Sequence, residues 1–397
     1  MNPMRTTLAV LIFAMVQVAA VAAENDPEGV KFSLRDGLLV DDNLYRAADG
    51  GESDTINRLS AGVDGAWQLS RQGLSVTARV DRNRFRRNDQ LDYTSGNASA
   101  SWAWQVGSTL SGDLGVDYNR ALASFANTTF RSRDVLENGA LFWNGSWDVG
   151  PRWILRAAAR DARTEHSAEA RQFDNSRARG GSVGLHFRSS AQNTVGLEYR
   201  YSEGTFDHPA LLDGQLFDRN YHENQASVRL QYELGPKTEL KAGGGYLRRE
   251  YPEAQVIGIS KGSFAGAVWD AALQWQPTEK LQLAVMGYRK ISAYLDAESD
   301  YFVATGFSIA PTWNPTDKLR LSLTASREQQ RYLGSSVNLA LLEPRQDRVN
   351  SGALAITYAV TRVLNFDMSG RIENRGSDRS QVRYDDKVAS IGIRLVY

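Results

Sequence analysis

The feature that most constrains this chain is a period-two alternation of apolar and polar residues. It recurs from about residue 30 to the last residue, Tyr397. Over residues 59–69 one phase reads Leu59, Ala61, Val63, Gly65, Trp67, Leu69 and the other Ser60, Gly62, Asp64, Ala66, Gln68. Residues 227–234 place Val228, Leu230, Tyr232 and Leu234 against Ser227, Arg229, Gln231 and Glu233. Residues 318–324 repeat the pattern with Leu319, Leu321 and Leu323, and the final segment with Ala389, Ile391, Ile393, Leu395 and Tyr397. Successive side chains of a strand point to opposite faces, so each segment predicts a strand with one apolar and one polar face.

The N-terminus is of a different kind. Arg5 precedes an apolar run over residues 8–21, broken only by Gln17, and small residues at Ala20, Ala22 and Ala23 follow. That is the layout of a secretory signal peptide, residues 1–23, with cleavage after Ala22 or Ala23. Residues 24–397 are then expected to form one β-domain. No later stretch approaches the ~20 apolar residues of a spanning helix. The chain has no cysteine. An exported protein of this kind draws its stability from hydrogen bonding and packing, not disulfides.

Charge is balanced, 46 basic against 46 acidic residues, which implies no bulk attraction to nucleic acid. Mean hydropathy is −0.42. A helical membrane protein would be far more apolar; a membrane β-barrel need not be, because only alternate residues face lipid.

Turn signals recur roughly every forty residues, about two strands plus a longer loop. They fall at Gln72-Gly73, Gly107-Ser108, Gly150-Pro151, residues 189–193, Gly235-Pro236, Pro277-Thr278, Pro315-Thr316 and near Thr361. Longer polar segments lie between them, among them residues 86–91, 123–133, 207–217, 251–261 and 334–346. Short turns at one end and long loops at the other are the asymmetry of outer-membrane barrels. The fold class predicted is all-β: a transmembrane antiparallel β-barrel of about 18 strands. Its first strand spans residues 30–46, its short turns are periplasmic and its longer loops extracellular. Sixteen strands is the alternative, if the first pair is irregular.

The aromatic residues follow the same frame. Trp67, Trp104, Trp147, Phe187, Tyr232, Trp275, Trp313, Tyr358 and Tyr397 each stand near a turn or the terminus, on the apolar phase. That is where rings at the inner membrane interface belong. A looser outer girdle would be Tyr45, Phe85, Tyr118, Tyr201, Tyr246 and Tyr288. Residues 390–397 end as polar, x, Gly, x, x, hydrophobic, x, aromatic. They resemble the C-terminal signal read by the outer-membrane barrel assembly machinery, with Tyr397 in the place of the more usual Phe. Together these features predict the outer membrane of a Gram-negative bacterium, with outer-membrane lipid as a partner.

The polar phase would line the barrel. It carries Arg58, Asp64, Arg79, Asp81, Asp113, Asp117, Arg156, Arg160, Glu198, Arg200, Arg229, Glu239, Asp270, Arg320, Asp367, Arg371 and Arg394. Asp148, Arg177, Arg179, Glu223 and Lys241 are assigned to it as well. Both signs are mixed with Ser, Thr, Asn and Gln, which suits hydrated sugars. Any water-filled barrel also needs a polar wall, and opposite charges on neighbouring strands pair.

Candidate chemistry is sparse. Of the four histidines, His166 and His208 are expected in or beside outer loops and His222 near a strand's outer end, while His186 stands on a strand's polar phase with no Asp or Glu neighbour in sequence to orient it as a base. No enzymatic activity is expected. Asp41-Asp42-Asn43 is oxygen-rich but lacks the glycine and closing glutamate of a calcium loop. Gly243-Gly244-Gly245 lies mid-strand with no helix after it, so it reads as close packing, not a phosphate loop. No metal, cofactor or nucleic-acid partner is predicted.

Two features carry a family resemblance. One is Asp41-Asp42-Asn43-Leu44-Tyr45-Arg46 near the mature N-terminus. The other is the repeated turn Trp275-Gln276-Pro277-Thr278-Glu279-Lys280-Leu281 and Trp313-Asn314-Pro315-Thr316-Asp317-Lys318-Leu319, with weaker relatives at residues 147–153, 232–240 and 358–364. In this turn Trp anchors the interface, Pro presets the bend and Thr can bond back to the backbone. The chain resembles the exopolysaccharide-operon outer-membrane barrels (the EpsL type, associated with exosortase systems) and the wider porin-like superfamily. The resemblance implies an outer-membrane channel exporting a polysaccharide, with a periplasmic polysaccharide export protein docking at the short-turn end. A general or sugar-selective diffusion porin is the alternative reading of the same residues, and a plugged structural or adhesive barrel is a second.

Overall fold

The computed structural model describes residues 29–127, 130–212, 215–252, 255–256, 259–260, 263–296, 299–333 and 344–397. The predicted signal segment, residues 1–23, lies outside them. Eighteen strands among the described residues form one closed sheet. In chain order they are β1 (Gly29–Asp41), β2 (Asp54–Leu69), β3 (Gln72–Phe85), β4 (Tyr93–Val106), β5 (Leu110–Leu122) and β6 (Val135–Asp148). Next come β7 (Trp153–His166), β8 (Ser176–Arg188), β9 (Thr194–Phe206), β10 (Tyr221–Gly235), β11 (Thr238–Glu250) and β12 (Phe264–Thr278). The last six are β13 (Leu281–Asp296), β14 (Ser299–Thr316), β15 (Leu319–Leu333), β16 (Gln346–Ala359), β17 (Leu364–Ser377) and β18 (Tyr384–Val396).

Each strand pairs antiparallel with its neighbours in sequence, and β1 pairs with β18. The seam runs from Ser33↔Val396 to Asp41↔Val388. Beyond it, Phe32 and Tyr397 exchange backbone hydrogen bonds of 2.7 and 2.8 Å. Closure removes the free sheet edges that a bilayer cannot solvate. The strand count is the predicted eighteen. β1, however, stops at Asp41 instead of residue 46, because residues 42–46 turn inward.

The alternation sets the two faces. The outward phase carries Phe32, Leu34, Leu59, Leu74, Val80, Leu141, Leu197, Phe307, Leu323, Leu354, Met368 and Ile391, all largely exposed. An exposed apolar band of this extent is stable only against lipid. At the short-turn end Trp67, Trp147, Tyr232, Trp275, Trp313, Tyr358 and Tyr397 are exposed on that phase. Trp104 and Phe187 are half-buried on it. Of the looser outer girdle, Tyr118, Tyr201 and Tyr246 are exposed outward. The other three are not. Phe85 and Tyr45 pack in an interior cluster, and the Tyr288 hydroxyl bonds to Glu328 inside the barrel.

The repeated turn works through its threonine. Thr278 Oγ1 accepts from the Leu281 amide at 3.1 Å, Thr316 Oγ1 from Leu319 at 3.1 Å and Thr361 Oγ1 from Leu364 at 3.0 Å. The bends themselves fall at Glu279-Lys280 and Asp317-Lys318, and the first turn at Ser70-Arg71, two residues before the predicted Gln72-Gly73. Ser70 there has a positive φ of 57°. Successive turns are laced together: Lys237 Nζ donates to the Pro277 carbonyl at 3.3 Å and Lys280 Nζ to that of Pro315 at 3.1 Å.

Candidate functional site: the barrel lumen

The inner wall is the phase opposite the exposed apolar band. Arg58, Asp64, Arg79, Asp81, Asp113, Asp117, Arg156, Arg160, Glu198, Arg200, Arg229, Glu239, Asp270, Arg320, Asp367, Arg371 and Arg394 all stand on it, as do Asp148, Glu223 and Lys241. Arg177 and Arg179 do not. They share the phase of the exposed Val183 and Leu185 and face outward, paired with Asp161. Charge alone suggested the wall; the register with Val183 and Leu185 decides otherwise.

Inside, opposite charges pair both across strands, as Arg229–Asp270 and Arg249–Glu223 do, and along a single strand, as Arg200–Glu198 and Lys241–Glu239 do. Arg229 reaches Asp270 at 2.7 Å, Arg200 reaches Glu198 at 3.1 Å, Lys241 reaches Glu239 at 3.0 Å and Arg249 reaches Glu223 at 2.6 Å. Arg35 and Arg394 stand directly opposite each other across the seam. Asp367 sits between them, 3.7 Å from Arg35 and 3.1 Å from Arg394. Gly243 leaves room for the Arg229 guanidinium to lie against the wall, which accounts for part of the glycine run. His186 is buried, and glycines flank its ring in the same way: Gly184 and Gly196 both abut it. Neither ring nitrogen has a hydrogen-bond partner.

The outer mouth is occupied by the chain itself. Residues 42–53 of the β1–β2 connection, 86–92 of the β3–β4 connection, and 123–127 with 130–134 of the β5–β6 connection fold inward. Leu44, Leu91 and Phe125 pack on Leu39, Ile56, Phe85 and Val388 of the wall. The Tyr45 and Phe125 rings lie 5.0 Å apart. Beside this cluster runs a polar belt. Arg46 bonds Asp41 at 3.1 Å and Asp386 at 3.0 Å; Arg371 also bonds Asp386, at 2.8 Å. Arg375 bonds Asp347 at 3.3 Å, Gln330 at 3.0 Å and the Ala126 carbonyl of the inward loop. Gln330 continues the belt to Glu328 at 2.6 Å. Asp41, Asp42 and Asp386 bring their carboxylates within 4.8 Å of one another, but Arg46 and Arg371 already supply the positive charge there.

A second clamp fixes the far end of the same loop. His166 Nδ1 and Asp134 Oδ2 are 2.6 Å apart, both side chains buried. The Asp134 carboxylate also accepts from the Ala168 amide at 3.1 Å. Burial raises the Asp134 pKa, but the His166 hydrogen bond and charge, the Ala168 N–H and Arg171 together outweigh it and hold it below the usual value. His166 Nε2 is buried with no hydrogen-bond partner among the described residues.

Between the loop and the wall of β4–β11 lies a cavity of ≈ 790 Å³. Asn97, Ser99, Asp117, Asn138, Arg160, Arg200, Glu223 and Arg249 line it, with Phe125 and Phe130 on the loop side. The sequence carried one signal of this inward loop: two phenylalanines, Phe125 and Phe130, within a polar connection.

Residues 241–397, from β11 to the C-terminus, match the family model "Putative beta-barrel porin 2". Comparison with curated proteins finds no sequence match. Solved structures similar to the chain include OccK2 (OpdF) from Pseudomonas aeruginosa, solved in complex with glucuronate. It has 11% identity and a TM-score of 0.49, and the alignment covers 94% of this chain and 98% of that one. The outer membrane protein opdK from Pseudomonas aeruginosa has 10% identity, a TM-score of 0.47 and coverage of 93% and 99%. The siderophore receptor PirA from the same organism has 10% identity, a TM-score of 0.45 and coverage of 94% and 81%. The closed barrel and its apolar outer band make this chain a transmembrane β-barrel of the Gram-negative outer membrane, and its C-terminal strands are similar to a family of porins.

Proposed function

We propose that the barrel is a channel for a hydrophilic carbohydrate, and that its cargo is an exopolysaccharide leaving the cell. The observation that carries the carbohydrate reading is the cavity wall, where Asn97, Ser99, Asn138, Asp117, Arg160 and Arg200 converge. Amides, hydroxyls and forked guanidinium groups bond sugar hydroxyls in every orientation, and paired charges keep the net field low. The direction of transport rests on the resemblance of the Trp-x-Pro-Thr turns to exopolysaccharide-operon barrels. Two partners belong to this proposal: the assembly machinery, reading residues 390–397, and a periplasmic export protein on the turn-bearing face.

The test is a deletion strain scored for polysaccharide at the surface and in the periplasm. Export predicts loss at the surface with synthesis intact; unchanged surface polysaccharide would overturn it. A second reading, a sugar-selective uptake porin, is favoured by the inward loop residues 123–127 and 130–134, which narrow the mouth as a constriction does. It predicts a growth defect on a particular sugar with surface polysaccharide unaffected. Planar-bilayer recording tests both against a plugged barrel, which would show no conductance.

A further inference from the structure

The outward face above the apolar band is charged around most of the barrel, and most of these charges neutralise one another locally. Arg82 and Arg84 on β3 form no ion pair among the described residues, but Asp36 of β1 stands in the same outward row as Arg82. Arg120 pairs with Glu137, Arg163 with Glu165, Arg177 and Arg179 with Asp161, and Arg248 with Glu250. The sector from β13 to β16 differs. Its outward phase carries Arg289, Arg327, Arg331 and Arg348, and no ion pair is formed by any of them among the described residues. Within the strands β12 to β17 no described residue on that phase is acidic. Asp378, just past the end of β17, accepts from the Gln346 amide at the patch edge and forms no ion pair with these arginines. Arg327, Arg331 and Arg348 are exposed.

The four form a compact patch. Arg289, Thr305, Gln329 and Arg348 are successive register partners across four strands. Strands lie ~4.8 Å apart, so Arg289 and Arg348 are roughly 14 Å apart along this row. Arg327 and Arg331 flank Gln329 on the same face. Beneath the row the surface turns apolar: Phe307, Ile309, Ala325 and Leu354, and then Trp313, Leu321 and Ile356. Arg289 and Arg327 each stand eight residues beyond the turn-proximal Leu281 and Leu319 (289 − 281 and 327 − 319). At ~3.3 Å per residue and a ~40° tilt that is roughly 20 Å above the inner girdle, near the top of the apolar band.

We infer that the outward face of β13–β16 binds the phosphorylated glycolipid of the outer leaflet, its arginines clasping the sugar phosphates and its lower rows receiving the acyl chains. The forked guanidinium matches phosphate in a bidentate way, and the lack of acidic partners leaves the forks of Arg327, Arg331 and Arg348 available, while Arg289, which donates to the Ala267 carbonyl and Thr305, adds its charge at the patch edge. Apolar rows directly below the cations select an anion that carries its own hydrocarbon. The inference does not depend on what the lumen transports.

The test uses the full-length barrel purified in detergent and native mass spectrometry with added diphosphoryl lipid A. Wild-type barrel should retain it, and R327E/R348E should weaken retention at least tenfold. R177Q/R179Q, which alters the neutralised cluster, should retain it like wild type. Dephosphorylated lipid A and phosphatidylglycerol should bind at least tenfold more weakly, and inorganic phosphate alone should not be retained. Should the charge reversal fail to fold, R327Q/R348Q replaces it, with the same expected loss. Equal retention by the patch variant, equal binding of dephosphorylated lipid A or of phosphatidylglycerol, or an equal loss in R177Q/R179Q would each overturn the assignment.

Discussion

Arg375 on β17 donates a hydrogen bond to the backbone carbonyl of Ala126 in the β5–β6 loop, joining positions 249 residues apart in the chain. The guanidinium is buried and also holds Asp347 and Gln330, so the inward loop is tied to the wall of a distant part of the barrel.

Arg375→Gln should release that loop. A lost hydrogen bond to a charged group costs about 1.5–3 kcal/mol, enough to shift a loop equilibrium by one to two orders of magnitude. Single-channel recordings should show a larger or noisier conductance than wild type. Identical traces would separate this contact from control of the mouth.

Asp134→Asn removes the negative charge and one of the two acceptor oxygens that hold His166 and the Ala168 amide. Because folding depresses the Asp134 pKa, its contribution is present above the unfolded value, ~4, and is lost as pH falls through the lower folded value. Protease nicking within residues 123–134 should therefore rise in wild type only at pH below about 4. In the variant it should be high at neutral pH as well. A nicking profile unchanged by the substitution would show that the clamp does not hold the loop.

Thr278→Val and Thr316→Val each delete the hydroxyl that caps a turn. Each should cost about 0.5–1.5 kcal/mol. Since the two turns are also joined through Lys280, the double variant should depart from additivity. Urea unfolding from lipid vesicles measures both the single losses and the coupling.

Leu323→Arg and Thr324→Arg differ by one position and by face. Leu323 is exposed on the apolar band, whereas Thr324 shares the inward phase of Arg320 and Ser322. The first should cost about 2–4 kcal/mol and the second little. Equal losses would mean that the two faces are misassigned.

Truncation of Tyr397 removes both backbone bonds to Phe32 at the seam. The expected result is a lower yield of heat-modifiable, folded barrel on electrophoresis, with Tyr397→Phe behaving as wild type.

The alternation by itself determined the strands, the face of each residue along them and hence the apolar band and the polar wall. A period of two is written locally, and a one-residue slip would expose every polar side chain of a strand to lipid. The turns were legible for the same reason, since Trp-x-Pro-Thr carries its own hydrogen bond. Closure followed from the bilayer, which leaves a β-chain no other way to pair its edges. Only the tertiary structure decided where the loops go. Tyr45, Phe85 and Phe125 meet inside the mouth because the β1–β2 connection, β3 and the β5–β6 loop converge there, and no local pattern records that convergence. The same holds for the arginines. Charge placed Arg177 and Arg179 on the wall, but their register with Val183 and Leu185 turns them outward. Pairing then separates them, neutralised by Asp161, from the acid-free patch on β13–β16. Which charges meet is set by strand neighbours tens to hundreds of residues away, and that information exists only once the barrel is closed.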